Sequence, residues 1–348
     1  MKIEAKLYEK VNRNKTRCLV CAHKCVIKER RFGVCGTRVN EDGILYTLIY
    51  GSLTAEAVDP VEKKPLFHFW PGSETYSISS VGCNFACPWC QNWHISAKSP
   101  GDTSVREVQP EEIAYKVKEM GLNSISYTYN EPSIWFEYLH DLGKLAHEKE
   151  VANILVTNGY FSFESLSELR GLIDAANVDI KGFTENLYKR YPKARLEHVL
   201  GAVEEMRNQG VHLELTLLVI PGLNDEPGEA KKFIKWTVNS LGENVPVHLS
   251  RFFPHYKYGH LSPTPIETLV RLRDIAKESG LNYVYIGNVP GRYEDTECPS
   301  CGETVISRRG FQIIEWRLGA ENKCKKCGTE IPLIGEQVKR RSGFWPFY

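Results

Sequence analysis

Eleven cysteines fall into three clusters, with none left over. Cys18, Cys21, Cys25 and Cys35 make a group of four, Cys83, Cys87 and Cys90 a group of three, and Cys298, Cys301, Cys324 and Cys327 a second group of four. Cysteines kept for packing would sit singly inside strands, whereas sets this tight bring thiolates together as ligands. The chain starts MKIEAKLYEK, without the apolar stretch of a secretory signal. A cytoplasmic location is therefore expected, where thiols stay reduced and metal ligation is favoured over disulfides.

The 348 residues are enough to bury a core without disulfide support. Lys+Arg 44 against Asp+Glu 43 leaves a net charge of +1. That excludes a strongly basic nucleic-acid coat protein and an acidic solvating chain, but not a local basic patch. No apolar run approaches 18 residues, so no membrane span is expected.

From residue 75, short runs rich in Val, Ile, Leu, Thr and Tyr alternate with amphipathic stretches. The runs at 76–81, 124–129, 153–157, 178–180, 213–220, 245–249 and 283–286 are nearly continuous, as in parallel strands buried on both faces. Helices are predicted over 110–120, 135–149, 163–175, 197–209, 229–241 and 266–279. Several end at a glycine, among them Gly121, Gly210, Gly242 and Gly280, which is C-cap chemistry. Such alternation builds right-handed crossovers and a parallel sheet. The reading is an α/β fold: a partial (β/α)6 barrel over 73–294, an N-terminal Cys-rich metal-binding extension over 1–72, and a C-terminal zinc-ribbon-like domain over 295–348.

The sequence Cys83-Asn-Phe-Ala-Cys87-Pro-Trp-Cys90 directly follows the first of these strands. Three thiolates on one loop hold three corners of a cubane iron–sulfur cluster and leave the fourth iron open to a substrate group. A zinc loop completed by His94 is the bland alternative, but Cx3Cx2C spacing is unusual for zinc. This motif, with Trp89 before the last cysteine, resembles the radical S-adenosylmethionine (SAM) superfamily. The resemblance implies a 4Fe–4S cluster on Cys83, Cys87 and Cys90 that binds the methionine amine and carboxylate of SAM. Cleavage by one electron from an external donor would give a 5′-deoxyadenosyl radical, which abstracts hydrogen from the substrate.

Further strand ends carry polar residues to the same barrel mouth, where such folds build sites. Thr128-Tyr-Asn130-Glu131-Pro132 ends the second strand, Thr157-Asn158-Gly159 the third and Asp179-Ile-Lys181 the fourth. By resemblance, Asn130 and Glu131 offer oxygen acceptors to the methionine ammonium, and Trp89, Thr157, Asn158, Asp179 and Lys181 complete a cofactor shelf. Together they are similar to pyruvate formate-lyase activating enzyme, in which the matching Asp helps hold a monovalent cation. Here Val156 replaces that family's acid and Thr216 stands at an arginine position, which removes a cation ligand and alters carboxylate recognition. Asn224-Asp225 reads as a helix N-cap.

The last cysteine group has CxxC turns with a glycine after each pair, Gly302 and Gly328, a zinc-ribbon pattern. For the first group zinc is favoured, an auxiliary cluster is the alternative, and His23 could replace one thiol. The combined order resembles the radical enzyme of the AmmeMemoRadiSam system. The matching stretches are 18–38, 83–93 with Gln91-Asn92-Trp93, 129–132, 285–289 and 298–310. Tyr285 to Val289 would pack near adenine or serve as a buried strand. Memo-like and AMMECR-type partner proteins are implied by that resemblance. The expected substrate is a macromolecule, RNA or protein. An RNA base is suggested by the ribbon and by the tail Lys339-Arg340-Arg341 with Phe344-Trp345. The alternatives are a glycyl-radical enzyme activase and a non-catalytic metal scaffold.

Overall fold

The computed structural model describes residues 1–289, 291 and 293–338. Its centre is an eight-stranded sheet of β1 (Ala55–Pro60), β2 (Glu74–Ser79), β3 (Ser124–Tyr127), β4 (Ala152–Thr157), β5 (Ala175–Ile180), β6 (His212–Val219), β7 (Val247–Arg251) and β8 (Val284–Gly287). The strands lie in chain order, and β1 and β8 are the two edges, so the sheet is open. β2 to β8 are parallel, each joined to the next by a crossover, and β1 pairs antiparallel with β2.

All seven runs singled out in the sequence are these parallel strands. They carry few exposed residues because both faces are covered: Ser124, Ile125, Ser126 and Tyr127 are all buried. Their polar side chains are satisfied within the sheet, as where Thr75 and Ser126 hydroxyls meet at 2.8 Å. β1 was not anticipated, because Ala55-Glu-Ala-Val-Asp-Pro60 has neither a continuous apolar run nor alternation. It forms by pairing to an edge, where a terminal Pro is tolerated.

The helix Pro110–Glu119 has Pro at its first position and Glu111 and Glu112 in its first turn. Its stop at Gly121, with φ +68°, follows the expected C-cap logic. One helix is shorter than its pattern. The predicted 163–175 segment ends as Phe163–Glu168. Gly171 turns the chain at φ +74°, and Ala175 already opens β5, although Ala-Ala-Asn has weak strand propensity.

Before the sheet lie two small antiparallel sheets. One contains Ile3–Glu4, Ile44–Thr47 and Arg38–Glu41, the other Tyr8–Asn12, Lys15–Cys18 and Val26–Lys28. After it come the three strands Thr296–Glu297, Thr304–Arg309 and Gln312–Trp316. This last unit shares an apolar core with Phe67, Tyr283 and Tyr285, so it is docked against the β8 edge. Among the described residues no helix is long and apolar enough to cross a membrane.

Candidate active site

The loop after β2 carries Cys83, Cys87 and Cys90, all half-buried. Backbone contacts clamp it from two sides. Ala86 N–H donates to the Pro192 carbonyl at 3.0 Å, and Lys257 N–H donates to the Pro88 carbonyl at 3.0 Å. Phe85 N–H points to Cys83 Sγ at 3.3 Å, a donor suited to a thiolate. Trp89 is buried, with its ring against Tyr191 and Tyr258 at 5.8 and 5.7 Å between centroids. It packs the loop onto the neighbouring crossovers. His94 is exposed and, among the described residues, joins no set of three or more ligands close enough to share one ion.

The strand ends gather around this loop through a chain of side-chain hydrogen bonds. Asn130 accepts from Ser80 N–H at 3.1 Å and donates to the Gly82 carbonyl at 3.1 Å, holding the residue before Cys83. Asn158 donates to Asn84 Oδ1 at 2.8 Å and lies 3.8 Å from Cys83 Sγ. Both Glu131 oxygens accept hydrogen bonds from the protein. Oε1 accepts from Ser133 N–H at 2.9 Å and from Thr157 Oγ1 at 2.7 Å, while Oε2 accepts from Asn158 N–H at 2.8 Å. Burial pushes the Glu131 pKa up, although these donors oppose the shift. Glu131 and Asn130 therefore act as ties between β3, β4 and the cysteine loop.

Asp179 and Lys181 form an ion pair at 3.0 Å. Burial disfavours the Lys181 ammonium, but the Asp179 carboxylate beside it outweighs this and holds its pKa above that of ordinary lysine. Thr216, on the strand beside Asp179, donates to Asn177 Oδ1 at 2.8 Å. Asn224 is not a helix cap. It accepts from Ile220 N–H at 2.7 Å and donates to the Lys181 and Leu218 carbonyls, tying the ends of β5 and β6. Glu226 takes the N-cap position instead.

Tyr285 takes the buried-strand alternative. Its hydroxyl meets His68 Nε2 at 2.7 Å and Thr296 Oγ1 at 2.9 Å, facing the C-terminal unit. Two contacts have no local signal in the sequence. Asn92 donates to the Tyr129 carbonyl at 2.7 Å, and Tyr129 itself sits at φ +68°. Lys64 is buried on Asp59 at 2.7 Å, and burial lowers its pKa to about 8. Nothing in a Lys-Lys pair at 63–64 signals that one of the two is inside.

The C-terminal cysteines form two matching turns. Gly302 N–H donates to the Cys298 carbonyl at 2.9 Å, and Gly328 N–H to the Cys324 carbonyl at 2.8 Å. Cys298 N–H and Cys324 N–H donate at 2.8 Å to Glu303 and Thr329. The four sulfurs lie within 4.8 Å of one another, so they can hold one metal ion.

The model of the radical SAM superfamily matches residues 77–234, which begin in β2 and contain the three-cysteine loop and the strand ends just described. An uncharacterized protein of Methanocaldococcus jannaschii is 43% identical over 333 residues, 95% of this chain and 99% of the relative. The chain belongs to the radical SAM superfamily. It is an enzyme, and the family implies a 4Fe–4S cluster and SAM. The three-thiol loop with its N–H donor fits that cluster. A putative glycyl-radical enzyme activating enzyme of the same organism is 25% identical over 175 residues, 48% of this radical SAM chain and 64% of the relative. Among solved structures, a radical SAM methyltransferase from Sphaerobacter thermophilus superposes with a TM-score of 0.49 at 16% identity, covering 63% of this chain and 67% of that one.

Proposed function

We propose that this enzyme directs a 5′-deoxyadenosyl radical, formed by one-electron cleavage of SAM, at a C–H bond of a macromolecule, with an RNA base as the favoured substrate. Cys83, Cys87 and Cys90 would hold the 4Fe–4S cluster, which supplies the electron for that cleavage. The chain's own residues fix the geometry. Asn130 and Asn158 hold both neighbours of Cys83, and Glu131 locks Asn158 to the end of β3. Asp179 and Lys181 place paired charges at the same mouth, suited to the methionine carboxylate and ammonium. Trp89 and Phe85 are buried and keep water from the loop.

The observation that carries the substrate class is an exposed aromatic pair beside the cysteine loop. Trp93 and Tyr256 stack at 5.3 Å with 10° between planes, while 40% and 37% of their surfaces remain open. Lys257 lies 5.2 Å over the Tyr256 ring. Open rings with a neighbouring cation suit an unpaired base and its phosphate. The basic tail Lys339 to Arg341, with Phe344 and Trp345, lies outside the described residues. The C-terminal cysteines would hold structural zinc, and Memo-like and AMMECR-type proteins would be companions.

Ultraviolet crosslinking of anaerobic protein to cellular RNA tests this reading. RNA crosslinks lost in Trp93→Ala, with uncoupled 5′-deoxyadenosine formation kept, are expected. Absence of RNA together with capture of a glycyl-radical enzyme would favour an activase, the activity named for the 25%-identical relative.

A further inference from the structure

The two four-cysteine groups are built differently. In the C-terminal unit Cys298 and Cys327 sulfurs are 3.5 Å apart, and Cys301 and Cys324 sulfurs 3.8 Å apart. Four sulfurs each about 2.3 Å from one zinc ion stand about 3.8 Å from one another. Among the described residues this is the one Cys, His, Asp or Glu group close enough to share a single ion. Cys18, Cys21, Cys25 and Cys35 do not close up in this way. They surround a common cavity of about 10 Å³, bounded also by Arg38 and Ile134. That is room for a water-sized sphere, which sulfurs drawn in to about 2.3 Å around a central ion would not leave.

A second feature of this cavity calls for an acceptor. Arg38 is 1% exposed and grips Glu137 with both terminal nitrogens, at 2.8 and 2.7 Å. Its Nε has no hydrogen-bond partner among the described residues. A buried guanidinium N–H without an acceptor is costly, and sulfur of a cluster or its thiolates would supply one. His23 does not replace a thiol through Nε2, which donates to the Asn84 carbonyl at 2.8 Å.

We propose that Cys18, Cys21, Cys25 and Cys35 ligate a polynuclear iron–sulfur cluster, not zinc, placed directly behind the catalytic loop. The placement follows from contacts on either side of Cys83. His23 is bonded to Asn84, and Gly82 lies so close to the N-terminal segment that a Cβ there would be 3.0 Å from the Cys35 carbonyl oxygen. Gly82 also sits at φ +91°, which a side chain would strain. The site stands apart from the SAM assignment, because none of its ligands lies on the 83–90 loop.

The test separates the two sites by mutation. A Cys83→Ala, Cys87→Ala, Cys90→Ala triple variant, reconstituted anaerobically, should keep iron, sulfide and a reducible EPR signal that SAM does not alter. Adding Cys21→Ser and Cys25→Ser should abolish them. In the parent, the reduced signal should broaden through coupling of the two clusters. Should the triple variant fail to fold, Cys21→Ser with Cys25→Ser alone must lower the parent's iron from above about four per chain to about four, the cubane count. A folded triple variant with no iron and two zinc ions per chain would overturn the proposal, as would an unchanged iron count in the double variant. A lost SAM response in the parent would instead count against the SAM site alone.

Discussion

Glu131→Ala is the substitution whose consequences are set most fully by the structure. Glu131 is 2% exposed and accepts three hydrogen bonds, from Ser133 N–H, Thr157 Oγ1 and Asn158 N–H, at 2.7 to 2.9 Å. Truncation leaves two backbone donors and a hydroxyl buried without partners, at about 1–3 kcal/mol each. Relief of the buried carboxylate's own desolvation offsets part of that, leaving an expected loss of about 3–5 kcal/mol. Glu131→Gln keeps one acceptor oxygen and should lose about 1–2 kcal/mol. Because Asn158 is the next link to Asn84 and Cys83, the same change should weaken SAM binding by about 1–3 kcal/mol. Anaerobic guanidinium unfolding and SAM titration followed by EPR measure both quantities. An alanine variant within about 0.5 kcal/mol of the parent, with unchanged SAM affinity, would refute the idea that Glu131 organises the strand ends.

Two further outcomes follow from the C-terminal unit. Cys301→Ser should release its metal, measured as zinc by mass spectrometry, and impair substrate turnover while sparing uncoupled 5′-deoxyadenosine formation; a variant that keeps zinc would contradict the assignment. His68 is fully buried and held neutral, its pKa pushed down to about 3 chiefly by burial. Its unfolded counterpart takes up a proton below about pH 6.5, so stability should fall as pH drops from about 6.5 toward 3. One such group contributes a slope of about 1.4 kcal/mol per pH unit, and His68→Gln should flatten the profile in denaturant titrations.

The parallel strands were legible because buried β-runs of Val, Ile, Leu and Tyr have no other use for that pattern, and their glycine-capped helices marked the crossovers. The cysteine sets were legible because ligand spacing is local. Roles that depend on what lies across the fold were not. Glu131 reads as an acceptor for a cofactor, and nothing local signals that Thr157 and Asn158, 26 and 27 residues away, also donate to its two oxygens. Tyr285 gave no sign that its hydroxyl would be taken by His68, 217 residues earlier. Lys64, buried against Asp59 from the turn after β1, breaks the general rule that lysines lie on a surface. The difference between the two four-cysteine groups is also tertiary, since it lies in how far the sulfurs stand apart rather than in which residues are present.

The most direct measurement is EPR of anaerobically reconstituted, reduced Cys21→Ser, Cys25→Ser protein with and without SAM, paired with chromatography for 5′-deoxyadenosine. This variant keeps Cys83, Cys87 and Cys90 as its iron–sulfur ligands. We expect a cubane signal that shifts on adding SAM, with 5′-deoxyadenosine formed, and with both lost in Cys87→Ala. A signal indifferent to SAM, or 5′-deoxyadenosine formed equally well by Cys87→Ala, would contradict the open-iron site at the mouth of the sheet.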